Sequence, residues 1–281
     1  MLKQRLITAL LMLAVLLPAV FHPNPLIFSI TAALMVSVGA WEWARLNQVG
    51  GALAWGVGLL CLAGCILTLI LSPDLHSLRS VWLFAGGGWV LFSALLLMHG
   101  ATTWNSISKW VRLFGGLIAL GVAWLAISQA RQLGLSFLLS VLVLVWGADV
   151  FAYFAGRRFG GHWFRRKLAP SISPGKTWEG VLGGVLGVLV IALTWTYFES
   201  HVGLSTKSLF GCLYSQGAWV LAVGVMFLVA MSVAGDLVES LIKRCAGVKD
   251  SSSLLPGHGG VLDRIDALLP VLPLAMMLYS I

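Results

Sequence analysis

The chain has 281 residues, 59% of them hydrophobic and only 10% charged, with 18 Lys and Arg against 10 Asp and Glu for a formal charge of +8. A mean hydropathy of +0.95 excludes a soluble globular domain and leaves a polytopic integral membrane protein. The positive charge would suit nucleic acid, but its distribution along the chain assigns it to a membrane surface, and no nucleic-acid partner is expected.

Taken in order, apolar runs long enough to cross a bilayer, which needs ~20 residues, cover 6–21, 26–45, 51–72, 81–98, 111–129, 135–156, 180–198, 218–242 and 262–280. Uninterrupted apolar runs predict helices, not the alternating strands of a barrel. The expected fold is therefore an all-α polytopic membrane bundle of about nine transmembrane helices. Phe21-His22-Pro23-Asn24-Pro25 lacks the small residues of a cleavage site, so Leu6–Val20 reads as a first spanning helix. Ser72-Pro73-Asp74 ends the third span. No soluble domain fits between spans, and the division expected is a scaffold over 1–134 and a catalytic region over 135–281, with polar loops at 157–179 and 243–262. The dimer contact and the lipid-facing surface are expected in the scaffold.

Basic residues set the orientation. With the N-terminus inside, 15 of the 18 Lys and Arg fall on cytosolic segments, and only Arg79, Arg131 and Lys207 lie outside. This predicts N-in, C-out. Trp41, Trp43, Trp104, Trp110 and Trp178 fall near cytosolic ends, as belt anchors do. Gly180 with Gly184 and Gly183 with Gly187 mark a face for close helix packing inside the protein. Cys61 and Cys65 lack the partners of a zinc site and read as packing residues. Cys212 and Cys245 fall on opposite sides of the membrane, so no disulfide is expected. His22, His76, His99, His162 and His201 have no ligand spacing and read as interfacial. Glu42 and Arg45, three apart, read as a local pair.

Carboxylates inside spans are costly, about 2.5–3.5 kcal/mol at the bilayer centre on insertion scales, so they mark cavities or partners. Asp149, Asp236, Glu239, Asp263 and Asp266 all fall in the cytosolic third. Asp236 lies seven residues before Lys243, only ~10 Å inside the helix end. Asp236, Glu239, Ser240 and Lys243 share one helical face, as do Asp149 and Tyr153, and Asp263 and Asp266. Three acidic helix ends can thus converge on one cavity. The plainer alternative pairs each acid with a nearby base, Glu239 with Lys243 or Asp263 with Arg264.

The loop Lys167–Glu179 contains Gly175-Lys176-Thr177. A P-loop needs glycine where Pro170 stands, and the surroundings are not strand–loop–helix, so that motif is rejected. A rigid basic loop leading to a helix N-terminus near Thr177 remains, with Ser173, Lys176 and Thr177 placed for phosphate. The densest chemistry lies at 240–266. Lys243, Arg244, Lys249 and Arg264 are cations, Asp250, Asp263 and Asp266 carboxylates, Ser251, Ser252, Ser253 and His258 donors, and Gly257, Gly259 and Gly260 permit close backbone approach. Cations with glycines suit phosphates, and paired carboxylates suit a hard divalent metal. The stretch reads as a phosphoryl-transfer site.

Ser240-x-Ile242-Lys243-Arg244, Lys249-Asp250-x-Ser252, and Leu255-Pro256-x-His258-Gly259-Gly260-Val261-x-Asp263-Arg264-Ile265-Asp266 together resemble the signature of the phosphatidate cytidylyltransferases, or CDP-diacylglycerol synthases. Trp146–Asp149, Ala152-Tyr153, Gly156-Arg157 and Lys167–Gly180 resemble the same family, as does Trp41-Glu42-Trp43; residues around His162–Arg166 look like a length variation. The resemblance implies an integral membrane transferase of phospholipid biosynthesis, commonly a homodimer. It would act at the cytosolic face of a bacterial inner membrane, making CDP-diacylglycerol and pyrophosphate from CTP and phosphatidic acid. It also implies Mg²⁺, with a second cation such as K⁺. On that basis Asp263 and Asp236, with Asp266, are the expected metal ligands. Lys243, Arg264 and His258 complete the catalytic set. Asp149, Ser173, Lys176, Thr177, Ser240, Arg244, Lys249, Asp250, Gly259 and Gly260 are expected to bind substrate.

Overall fold

A computed structural model describes residues 2–71, 77–202 and 206–281, with side chains from residue 4 onwards. The Ser72-Pro73-Asp74 stop and His76 lie outside the described residues. Those described form twelve helices and no strand: α1 (Leu2–Phe21), α2 (Pro25–Leu46), α3 (Gly51–Leu71), α4 (Arg79–His99), α5 (Ala101–Ser106), α6 (Lys109–Leu133), α7 (Leu135–Phe159), α8 (Trp178–Val202), α9 (Leu209–Gln216), α10 (Ala218–Cys245), α11 (Leu262–Ile265) and α12 (Leu268–Ser280). Among the described residues eight helices, α1–α4, α6–α8 and α10, are long and apolar enough to cross a membrane. They coincide with the first eight predicted spans. The short α5 and α9, one before α6 and one before α10, were not predicted.

The ninth predicted span is the one that departs from a simple helix. It divides at Asp266-Ala267 into one turn and a 13-residue helix, and 13 residues reach only ~20 Å. Pro270 supplies the reason. It has no N–H to give the Asp266 carbonyl four residues back, and Asp266 caps the following Ala267 N–H with its own side chain at 2.7 Å. Asp266 keeps helical backbone angles, φ −50° and ψ −49°, so the segment bends without turning back. α12 touches α4, α6, α7, α9 and α10, and every residue from Leu268 to Met276 is buried. A helix apolar all round belongs at the centre of a bundle, and α12 is that post. Its end is level with the start of α7, where Tyr279 meets Phe137 ring to ring at 5.3 Å.

The α7–α8 contact is the most extensive among the described helices, and the glycine face of α8 makes it. A Cβ on Gly180 would stand 2.9 Å from the Ala152 carbonyl, and one on Gly184 3.0 Å from that of Ala148. The expected internal role of these glycines holds. Gly184→Val should cost about 1–3 kcal/mol by overpacking, seen as a lower unfolding midpoint in mild detergent; an unchanged midpoint would show the interface to be plastic. All four cysteines are free.

Two ends of the bundle can be told apart from contacts. Thr8 of α1, Arg45 of α2, Lys109 of α6, Arg157 of α7, Lys176 and Lys243 gather at one end, with the two polar loops. At the other, Arg131 donates to the carbonyls of Val20 and His22 at 3.0 and 2.7 Å.

Candidate active site

Two loops cap the first end, Gly160–Thr177 between α7 and α8 and Ala246–Val261 between α10 and α11. Each contains a small turn closed by one antiparallel bridge, Ala169 with Ser173 and Leu255 with Gly259, and in each a proline follows the first bridging residue. Each is also held from below by a buried glutamate. In the first loop, Glu179 accepts the backbone N–H groups of Gly161, Trp163 and Phe164 at 3.0–3.1 Å. Thr177 is spent as the N-cap of α8, its hydroxyl accepting from Gly180 N–H at 3.1 Å. The expected helix N-terminus is therefore present, but the Thr177 oxygen is already engaged by it.

In the second loop the anchor is Glu42, fully buried at the end of α2. One of its oxygens accepts from Ser252 Oγ at 2.6 Å and Val261 N–H at 3.0 Å. The other accepts from Ser251 Oγ at 3.1 Å and Leu262 N–H at 2.7 Å. This corrects the expected Glu42–Arg45 pair: Arg45 instead lies over the Trp41 ring at 4.9 Å. Trp43 fixes the anchor's helix by donating its indole N–H to the Leu113 carbonyl at 3.1 Å.

The glycines of the second loop have separate jobs. Gly257 and Gly259 take φ of +77° and +80°, where a side chain is strained. Gly260 is needed for space, since a Cβ there would run into Ser251 Oγ and the Glu42 carboxylate. His258 lies between them, its backbone N–H on the Leu255 carbonyl at 2.8 Å, its Nδ1 buried and without a hydrogen-bond partner.

Beneath this turn lies the centre of the site. Lys243 Nζ bridges Glu239 and Asp263, 2.5 Å from each. The other Asp263 oxygen accepts from Ser251 N–H (2.9 Å), Ser251 Oγ (2.9 Å) and Gly260 N–H (2.7 Å). Asp263 therefore pairs with Lys243, twenty residues away, and not with adjacent Arg264, which is exposed. The Glu239–Lys243 pair is the one that helical spacing proposed. One turn earlier on α10, Asp236 is bound by Lys176 from the first loop at 2.7 Å and by Ser240 Oγ at 3.2 Å. This ion pair ties the first loop to α10, the helix that also carries Glu239 and Lys243. Gly235 makes the meeting of α10 and the α11–α12 bend possible: a Cβ there would be 2.8 Å from the Asp266 carbonyl and 2.7 Å from Pro270. Asp236 and Asp266 are thereby brought to one wall.

Asp149, ten residues before the end of α7, is exposed and lies near the Lys176–Asp236 pair. Tyr153 does not join it; its hydroxyl accepts from Arg157 at 3.0 Å. Ser173 belongs to the bridged turn of the first loop. Arg244, Lys249 and Asp250 are exposed around the second. Among the described residues no three His, Cys, Asp or Glu form a ready metal cage, so Asp263, Asp236 and Asp266 are not gathered as one ligand set. Mg²⁺, however, is commonly held by one or two carboxylates plus substrate phosphates. Asp236 and Asp266 fit that mode, each retaining oxygen lone pairs beyond its present partners. Asp263 can lend at most the oxygen that Lys243 occupies.

Such a site can draw a polyanion onto Lys176, Lys243 and the turn of Gly257–Gly260 while carboxylates hold a counter-cation. Sequence reasoning passed over Glu42 and Glu179. For Glu42 the available signal was a carboxylate inside an apolar stretch between two tryptophans; a base at the right spacing masked it.

Comparison with known proteins agrees with this chemistry. A sequence profile described as "Cytidylyltransferase family" matches residues 3–281. A protein of Pseudomonas aeruginosa named phosphatidate cytidylyltransferase is 42% identical, the match covering 100% of this chain and 98% of the relative. One of the same name from Haemophilus influenzae is 34% identical over 99% of both chains. Another, from Staphylococcus aureus, is 31% identical over 98% of both.

Proposed function

This chain belongs to the cytidylyltransferase family, and from that premise we propose that it is a membrane enzyme transferring the cytidylyl group of CTP to phosphatidate, releasing pyrophosphate. The observation that carries the reading is the convergence of a first-loop lysine and an α10 lysine on carboxylates of α10 and α11, through Lys176–Asp236 and Lys243–Asp263, a cationic pair suited to two anionic reactants.

In the reaction an oxygen of the lipid phosphate forms a bond to the α-phosphorus of CTP while the α–β bridging bond breaks. Its electron pair leaves with pyrophosphate. No proton need be removed, because a phosphomonoester is already ionised near neutral pH. The work is alignment and charge neutralisation. Lys176 and Lys243 supply charge, each exchanging a carboxylate for a phosphate oxygen. Ser240, Ser173, the buried unpaired Nδ1 side of His258 and the glycine turn orient the phosphates, with Arg244, Lys249 and Arg264 drawing CTP in from the rim. Asp250 and Asp149 bound the opening. Asp236 and Asp266 are the residues that would hold Mg²⁺ together with the triphosphate, and the ion would supply positive charge to oxygens that gain negative charge in transfer; a second cation such as K⁺ would accompany it. We further propose that this end faces the cytosol of a bacterial inner membrane, a reading supported by its excess of Lys and Arg, and that the enzyme works as a homodimer.

The test is formation of labelled CDP-lipid from labelled CTP and Mg²⁺ by purified protein in mixed micelles. Product is expected only when phosphatidate is added and is expected to vanish with EDTA. Folded protein that makes no product with phosphatidate would overturn the proposal.

A further inference from the structure

The second loop has a neighbour outside the catalytic region. Among its described side chains α1 buries only Thr8, Ala19 and Val20. Leu6, Ile7, Leu10 and Leu11 are 56–63% exposed, so the helix turns an apolar flank to lipid. At the loop end it meets the glycine turn. The Thr8 hydroxyl donates to the carbonyls of Gln4 and Pro256, each at 3.0 Å. Arg5, three residues before Thr8 and so on the same face, passes over Gly257. A Cβ on Gly257 would stand 2.6 Å from Arg5 Cγ and 3.6 Å from its Cα and N. Arg5 is exposed and enters none of the salt bridges among the described residues.

We propose that Arg5 is a further substrate-binding residue of this site, taking the terminal phosphates of CTP and holding them as pyrophosphate leaves. This rests on the transferase reading above. The turn is graded in depth: Pro256 and Gly257 are exposed, His258 and Gly259 half-buried, Gly260 buried. Its inner end meets Asp263, the partner of Lys243. A triphosphate laid along the turn with its reacting phosphorus near Lys243 has its other end in water at Gly257, where Arg5 stands. The acceptor lipid brings one phosphate, which must reach the reacting phosphorus at the inner end; only the nucleotide has further phosphates to extend outwards. His258, the next residue, adds a buried Nδ1 with no hydrogen-bond partner, a second group able to meet a phosphate there. A guanidinium without a carboxylate partner grips phosphate oxygens by paired, charge-assisted hydrogen bonds. Thr8 is a positioning residue, its hydroxyl fixing α1, and with it Arg5, on the turn.

The test reads the two reactants separately in the micelle assay. Arg5→Gln should raise KM for CTP and the inhibition constant of pyrophosphate together, each about tenfold, and change KM for phosphatidate less than about twofold. Arg5→Lys should recover part of both losses. Thr8→Val should raise the same two constants, and adding it to Arg5→Gln should bring no further loss. A rise confined to KM for phosphatidate would overturn the proposal. So would a fall in kcat with both nucleotide constants unchanged, which is what a merely structural contact gives. Wild-type protein supplies a measurement that no folding defect can blur: pyrophosphate, but not dihexanoyl phosphatidate, should shield Arg5 from phenylglyoxal, read by mass spectrometry. Equal modification with and without pyrophosphate would overturn the proposal. Wild-type protein that turns over no phosphatidate would instead overturn the reaction reading.

Discussion

Glu42→Gln is expected to lower kcat by about 5- to 150-fold while CTP still binds, although Glu42 lies in the scaffold and touches no substrate in the reading above. The argument is one of donors and acceptors. Four donors converge on the Glu42 carboxylate, two of them the backbone N–H groups of Val261 and Leu262 on different oxygens. An amide offers one acceptor oxygen and turns an NH₂ towards the others. A serine hydroxyl can rotate away, but one backbone N–H must face the amide donor whichever way it flips. Leaving such a buried group unsatisfied costs about 1–3 kcal/mol, and 1.4 kcal/mol is tenfold. The loss should fall on kcat because these N–H groups open the segment that carries Asp263. Glu42→Asp, one methylene shorter, should fail to rescue. A Glu42→Gln enzyme with kcat within twofold of wild type in the micelle assay would show that the second loop holds itself.

The second large effect is at the centre. Asp263→Asn is expected to remove turnover by more than about 10³-fold, and Lys243→Met to do the same. Asparagine can keep the acceptor that Ser251 and Gly260 use, but then presents NH₂ to the Lys243 ammonium 2.5 Å away. Breaking a buried pair from one side costs about 3–5 kcal/mol, so both variants should also unfold more readily. The double variant distinguishes a shared role from two separate ones. Residues that act as one unit lose activity once, so it should be no worse than either single change. Full additivity of the two losses would mean that Lys243 and Asp263 serve the reaction independently.

The sequence carried the helices well because a bilayer demands long apolar runs, and eight of the nine predicted spans answer to that demand. The ninth looked the same by hydropathy; what divides it is Pro270, whose missing N–H acts on Asp266 four residues away. α5 and α9 escaped notice because one turn or two at an interface leaves no apolar run. Within the site, contacts at helical spacing were legible, as Glu239–Lys243 and Asp236–Ser240 are set by one helix's geometry. Lys243–Asp263 and Lys176–Asp236 depend on how separate helices meet, which Gly235 and the α8 glycines decide through packing. Glu42 was hardest: its partners lie more than 200 residues away, while a plausible partner stands three residues on.

That separation has a consequence for biosynthesis. Glu42 enters the membrane early, yet the groups that engage its carboxylate are made 209–220 residues later. At ~5–20 residues per second of translation, the nascent protein waits on the order of 10–40 s with a scaffold glutamate lacking its partners. A chain stopped before Val261 never supplies the backbone donors. Incomplete products thus carry a Glu42 carboxylate without the donors that engage it in the finished chain.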